Sequence, residues 1–234
     1  MIPRIRDINT TYIFASSREW NRPYFNELVR NVPGHWHWAS KPSDLISTLE
    51  HINPRYIFFL HWNWMVPEEV WGRYECVCFH MTDVPYGRGG SPLQNLILAD
   101  HNQTMLSALK MVKEMDAGPV YIKRPLSLEG SAEEIYLRCG KLSLEIVQWM
   151  IEVSPQPTPQ EGEVVVFKRR APEQSVLPYV GSLKKVYDFI RMLDAEGYPN
   201  AFVEHGDYQI SFRNARLENH QVIAEVKIKL QSNS

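Results

Sequence analysis

Along the first two thirds of the chain, apolar residues gather in short runs, and between the runs lie polar stretches with helical spacing. Residues 10–14 read as a first strand and 24–30 as a helix. His35-Trp36-His37-Trp38 alternates with the period of a short strand. Lys41-Pro42-Ser43-Asp44 opens a helix over 45–51. A strongly apolar third strand follows at 55–60 and a fourth at 76–80. Residues 92–99 have helical spacing with Pro at the start, and 104–112 and 119–126 read as strands. Ser131-Ala132-Glu133-Glu134 supplies an N-cap and an acidic first turn for a helix that runs to about residue 152. This rhythm predicts an α/β fold, Rossmann-like, with a mostly parallel sheet built from βαβ units. No G-x-G-x-x-G follows the first strand, which speaks against a dinucleotide site.

The rhythm breaks at Ser154-Pro-Gln-Pro-Thr-Pro-Gln-Glu-Gly162, a stretch with the composition of a linker. The expected division is therefore a domain at 1–153, a linker at 154–162 and a small α+β module at 163–234. In that module, 163–167 reads as a strand ending in Lys168-Arg169-Arg170, and 183–193 reads as a helix. Residues 201–203, 208–212 and 222–230 read as strands.

Bulk properties narrow the reading. With 234 residues the chain can bury a sizeable core. A net charge of −2 gives no electrostatic footprint for nucleic acid or an anionic membrane, so neither is an expected partner. No apolar run reaches membrane-spanning length. Met1-Ile-Pro-Arg-Ile-Arg-Asp7 lacks the apolar core of a leader, so the expected location is cytoplasmic. Cys76, Cys78 and Cys139 are too few for a disulfide framework.

Candidate chemistry concentrates in Cys76-Val-Cys-Phe-His80-Met-Thr-Asp83-Val-Pro85-Tyr-Gly-Arg88-Gly89-Gly90-Ser-Pro92. It starts as a buried strand, and its Pro and Gly density predicts loop from Pro85 onward. His80 sits where strand gives way to loop, the usual place for chemistry in an open α/β sheet. A second segment, Met115-Asp116-Ala117-Gly118-Pro119-Val120-Tyr121, again joins loop to strand. Cys76-x-Cys78 has no partner ligands at recognisable spacing and reads as buried apolar rather than metal-binding. Strand alternation accounts for His35 and His37 as well, so no metal is expected. Asp83 reads as a turn former.

These segments resemble the formyltransferase family. His80, Pro85, Arg88 and Gly89 fall on the His, second Pro, Arg and Gly of its Asn-x-His-Pro-Ser-Leu-Leu-Pro-x-x-Arg-Gly signature. Asp116 and Gly118 match its Asp-x-Gly-x-Ile. Trp64-Met65-Val66-Pro67-Glu68-Glu69 is similar to the turn that borders the folate pocket, and Val186 to Phe202 resembles the family's "IRAL…YPGAF" region. The resemblance implies N10-formyltetrahydrofolate as cosubstrate and His80 and Asp116 as the catalytic pair. Trp64, Met65, Val66, Arg88 and Gly118 are then the expected cosubstrate contacts. Thr82, Gly89, Gly90, Ser91, Lys168, Arg169, Arg170 and Tyr198 are the expected acceptor contacts.

One departure stands out, since Cys78 occupies the position of the family's asparagine. A thiol is a weak donor, so three readings stay open. Imidazolium at His80 stabilises the oxyanion, or another amide such as Asn63 or Asn95 reaches the site, or the protein is a non-catalytic binding relative. Lys168-Arg169-Arg170 either grips a diphosphate through charge-assisted hydrogen bonds or is a solvated strand end. Tyr179, Tyr198 and Phe202 are all available for stacking on a base.

Among family branches, the small C-terminal module and the stretch 79–97 are most similar to sugar N-formyltransferases acting on UDP- or dTDP-4-amino sugars for surface glycans. The pseudaminic-acid type, with UDP-4-amino-4,6-dideoxy-L-AltNAc as acceptor, is the specific expectation, and a homodimer is common in that group. The alternatives are methionyl-tRNA or glycinamide ribonucleotide formyltransferase-like enzymes.

Overall fold

The computed structural model describes residues 9–231, so Met1–Asp7, read above for a leader, lies outside the described residues. In chain order the strands are β1 (Thr11–Ala15), β2 (His35–Ala39), β3 (Tyr56–Phe59), β4 (Cys76–His80), β5 (Tyr86–Gly89), β6 (Gln103–Lys110), β7 (Val120–Ser127), β8 (Val165–Phe167), β9 (Ala201–His205), β10 (Tyr208–Glu218) and β11 (Gln221–Leu230). The helices are α1 (Arg22–Asn31), α2 (Pro42–Leu49), α3 (Glu68–Trp71), α4 (Pro92–Leu98), α5 (Ala132–Val153) and α6 (Leu183–Arg191). No helix among the described residues is long and apolar enough to cross a membrane.

Six strands form one sheet in the order β2-β1-β3-β4-β6-β7. β2, β1, β3 and β4 run parallel, and β6 is antiparallel to β4. The α/β fold with a mostly parallel sheet is therefore the one its hydrophobic pattern predicts. β1 and β3 are buried along nearly their whole length, which is why they read as uninterrupted apolar runs rather than alternating ones.

By contact, the described chain divides into two compact units. One comprises 9–88, 105–125 and 137–165, the other 89–104, 126–136 and 166–231. In the first, the period of two sorts side chains between the sheet's faces. Ile13, Ala15, Ile57, Phe59 and Cys76 pack with Leu45, Val66, Val70 and Tyr74 on one side. Tyr12, Phe14 and Phe58 turn to the other and meet the tryptophans of β2, with Tyr12–Trp36 centroids 4.7 Å apart and Phe14–Trp38 5.6 Å apart. The Arg22 guanidinium covers the Trp38 ring at 4.1 Å. Each large side chain buried this fully contributes about 1.5–3 kcal/mol relative to exposure.

The second unit holds a three-stranded antiparallel sheet, β11-β10-β9, with α6 beside it. Arg191 at the end of α6 is buried. Its Nε donates to Asp188 at 2.7 Å and its Nη1 to the carbonyls of Leu128 and Gly130 at 2.6 and 2.9 Å. β10 continues well past the predicted 208–212, because a shift in register between Arg213 and Arg216 absorbs Asn214 in a left-handed conformation and pairing resumes beyond it. α5 begins as its sequence predicts. The Ser131 N–H donates to Glu134 Oε2 at 2.8 Å, and Ser131 Oγ accepts from the Glu134 N–H at 3.3 Å, a reciprocal capping box.

The expectation of loop throughout 85–92 is corrected. Tyr86–Gly89 is a short strand paired with Val165–Phe167. Its glycines are what allow the pairing, since a Cβ on Gly89 would lie 2.5 Å from the Phe167 carbonyl, so the residue that reads as a strand breaker serves close backbone approach.

Candidate functional site

His80 is the last residue of β4 and only 8 % exposed. The next strand in the parallel order, β3, ends in the same direction, so both release their loops on the side where open α/β sheets bind ligands. The chain turns back after His80 through Met81, Thr82 and Val84, all buried. Lys123 clamps that turn, with Nζ 2.5 Å from Asp83 Oδ1 and 2.6 Å from the Val84 carbonyl. Asp83 is thus held as part of the turn.

The ring of His80 faces two oxygen acceptors. Nε2 lies 2.8 Å from the Gly87 carbonyl, and Nδ1 lies 3.5 Å from Asp116 Oδ2. A carbonyl can only accept, so Nε2 carries a hydrogen, and Nδ1 is the ring nitrogen at which a proton is gained or lost. The pair read from distant segments of sequence therefore meets, in one unit. Thr82 Oγ1 also donates to the Gly87 carbonyl, at 3.2 Å, and the Thr82 carbonyl accepts from Ser107 at 2.7 Å. The Thr82 hydroxyl is committed to fixing the carbonyl that orients His80.

Asp116 sits in the left-handed region with φ of 54°, between β6 and β7. Two residues on, Gly118 packs so closely that a Cβ would fall 1.7 Å from the Lys110 carbonyl. Cys78, two residues before His80 on the same strand face, packs against Val84, Leu109 and Val120. Burial first, and the charge of Asp116 second, push its thiol well above the ordinary cysteine range. It is a neutral group there. Burial likewise pushes Cys76 up to about 12, and it packs as a small apolar side chain.

The expected cosubstrate contacts divide by exposure. Val66 is buried in the core, whereas Trp64 and Met65 are exposed on the loop after β3, with Trp64 edge-on to Trp62 at 5.0 Å. Exposed indole and thioether side by side form an apolar ledge suited to a flat heteroaromatic ring. Arg88 is engaged within the protein, its Nε and Nη2 donating to Gln160 Oε1 at 3.1 and 2.8 Å.

In the second unit the two segments expected to contact the acceptor are joined. The Gly90 N–H donates to the Phe167 carbonyl at 3.2 Å, and the Arg170 N–H donates to Ser91 Oγ at 3.0 Å. A Cβ on Gly90 would lie 2.5 Å from the Arg169 Cβ. Asn95 Nδ2 donates to the carbonyls of Gly90, Ser91 and Lys168 at 3.1, 2.9 and 3.2 Å. That amide is spent on backbone and is removed as a candidate oxyanion donor. Lys168 and Arg169 are exposed, while Arg170 lies over the Phe189 ring at 5.6 Å. Tyr198 stacks on Tyr136 at 5.3 Å, so one of its faces is covered. Gln160 and the Gly87 carbonyl are the groups that sequence reading missed. A lone Gln in a Pro-rich stretch carries no periodic or compositional signal of a site.

Three comparisons bear on this arrangement. The profile described as "Methionyl-tRNA formyltransferase, C-terminal domain" matches residues 172–229. A methionyl-tRNA formyltransferase of Sulfurihydrogenibium sp. is 23 % identical over 184 residues, covering 74 % of this chain and 58 % of that protein. The chain thus spans under two thirds of that relative's length. The solved methionyl-tRNA formyltransferase from Clostridium thermocellum is 40 % identical, with a TM-score of 0.92 over 95 % of this chain and 100 % of that one. HypX from Aquifex aeolicus, solved with tetrahydrofolic acid, shares the fold at 20 % identity and TM-score 0.70, over 87 % of this chain and 37 % of that one.

These findings overturn the nucleotide-sugar reading, with its UDP, amino-sugar and glycan associations and its exclusion of nucleic acid. Both the matched profile and the 40 % identical structure are methionyl-tRNA formyltransferases. The exclusion rested on net charge, which averages over the whole surface, whereas phosphate is gripped locally. Lys168, Arg169, Lys185, Arg216, Lys227 and Lys229 are all exposed in the second unit. Identity at this level along essentially the full length of two chains, with backbones that superpose this closely, reflects common descent, and the chain belongs to the formyltransferase family.

Proposed function

We propose that this chain transfers a formyl group from N10-formyltetrahydrofolate to the amino group of methionine carried on tRNA. The observation that carries the reading is the His80–Asp116 pair at the end of β4. Because Nε2 of His80 is committed to the Gly87 carbonyl, Nδ1 takes the proton of the attacking amine. Asp116, on that same side, stabilises the imidazolium as it forms. His80 then returns the proton to the departing folate nitrogen, leaving tetrahydrofolate, formyl-methionyl-tRNA and a neutral ring. The charged ring also offsets the developing oxyanion, and the neutral Cys78 thiol adds only a weak donor.

N10-formyltetrahydrofolate supplies the activated one-carbon unit. Trp64 and Met65 offer its flat ring an exposed apolar ledge. Lys168 and Arg169 are exposed cations of the kind that grip phosphates, and their segment is hydrogen-bonded to Gly90 and Ser91. The test incubates the full chain with N10-formyltetrahydrofolate and methionyl-tRNA and looks for one formyl mass on methionine. The expected KM for the tRNA rises steeply with salt. Folded protein that yields no formyl-methionine at saturating donor would overturn the reading.

A further inference from the structure

Gln160 lies in the Pro-rich stretch after α5, yet every polar atom of its side chain is used. Nε2 donates to the carbonyls of Asp116 and Gly118, both at 2.7 Å. Oε1 accepts from Arg88 Nε and Nη2 at 3.1 and 2.8 Å. The orientation of the amide follows from its partners, since carbonyls only accept and a guanidinium only donates. The flanking backbone is pinned as well. Val120 and Thr158 exchange N–H to carbonyl hydrogen bonds of 2.7 and 2.9 Å, so the strand end that follows Asp116 and the segment that presents Gln160 move as one.

Asp116 needs such a hold. It is a non-glycine residue at φ of 54°, a conformation that persists only where surroundings fix it. Its carboxylate oxygen lies 3.5 Å from His80 Nδ1, longer than a good hydrogen bond, so small drift of the turn would break the contact. We infer that Gln160 is a positioning residue for formyl transfer. It grips the Asp116–Gly118 turn by two carbonyls, holds the Asp116 carboxylate to His80, and couples that turn to Arg88. The inference rests on the proposed reaction for its kinetic consequence but not for its structural one.

The test uses two variants of the full chain. Gln160→Ala removes both halves of the clamp. Gln160→Glu keeps the shape and the Arg88 half, now charge-assisted, but sets a carboxylate against the two carbonyls. Both are expected to lower kcat by about 30- to 100-fold, the scale of an ångström of misplacement. KM for methionyl-tRNA is expected to stay within about threefold. In both, the amides of Ala117 and Val120 should exchange about tenfold faster, while the Leu60 amide, bonded to the Ala15 carbonyl in the sheet, keeps its rate. Wild-type kcat in Gln160→Glu, or unchanged exchange at Ala117 and Val120, overturns the inference. Should wild-type protein fail to formylate methionyl-tRNA, the proposed function falls while the exchange measurement still decides the clamp. Should Gln160→Ala not fold, the near-isosteric Gln160→Glu carries both readouts.

Discussion

Gln160 in the first unit and Asn95 in the second each hold backbone with a side-chain amide, and they do it differently. Gln160 uses both ends, gripping two carbonyls with its nitrogen and a guanidinium with its oxygen. Asn95 spreads one nitrogen over three carbonyls, two in its own helix start and one on the segment after β8. Each donated hydrogen of Gln160 has its own acceptor at 2.7 Å, whereas those of Asn95 are shared at 2.9–3.2 Å. The first arrangement grips the single turn that carries Asp116. The second staples two stretches whose backbones already touch, so removing it leaves the contact partly in place. A clamp's importance follows from what else holds the joint.

The largest effect expected tests what the first clamp serves. His80→Ala and Asp116→Ala should each lower kcat by about a thousandfold, within the usual range for losing a general base and its partner, while the thermal midpoint moves little. The check is steady-state kinetics beside a melting curve. Near-wild-type turnover in either variant would detach the turn that Gln160 grips from chemistry.

Next come the glycines at the two joints. Gly118→Ala would set a methyl 1.7 Å from a backbone carbonyl, which the chain can relieve only by moving β6 or the turn. About 3–5 kcal/mol of stability should be lost. Gly90→Ala meets Arg169 at 2.5 Å on an exposed segment that can shift, and about 1–2 kcal/mol is expected. Urea unfolding ranks them. A reversed order would mean that the second joint, not the first, is the stiffer.

Asn95→Ala probes the staple itself. Its three carbonyls lie near solvent, and water replaces much of what the amide supplied, so about 1 kcal/mol is the expected cost. Its kinetic signature should be a raised KM for tRNA with kcat nearly kept, because Lys168 and Gly90 lose registry while His80 is untouched. A fall in kcat instead would place this segment in the chemistry.

The legibility of these regions from sequence differs for a physical reason. β1, β3 and β4 announce themselves because central strands must be apolar on both faces. His80 and Asp116 were found through local segments that keep the spacing of a known family. Gln160 was not, because its role is created by positions 44 and 72 residues away, and nothing in its own neighbourhood reflects them. Tyr86–Gly89 was misread as loop because glycine marks both loops and close backbone approach. The acceptor class was misread because net charge cannot report where individual cations stand.

The smallest expected effect concerns Cys78. Burial and the neighbouring Asp116 keep the thiol protonated, so at working pH it offers one weak S–H donor. Cys78→Asn substitutes an amide N–H that donates far better, in a space bounded by Val84, Leu109 and Val120. The added volume costs about 1 kcal/mol of packing, and a better donor to the oxyanion offsets it in the transition state. Turnover should lie between unchanged and about tenfold faster, with the unfolding midpoint slightly lowered. A folded Cys78→Asn protein that has lost turnover would show that the His80–Asp116 geometry depends on a small, neutral neighbour at this position, and the clamp at Gln160 would then be one of two devices setting that distance.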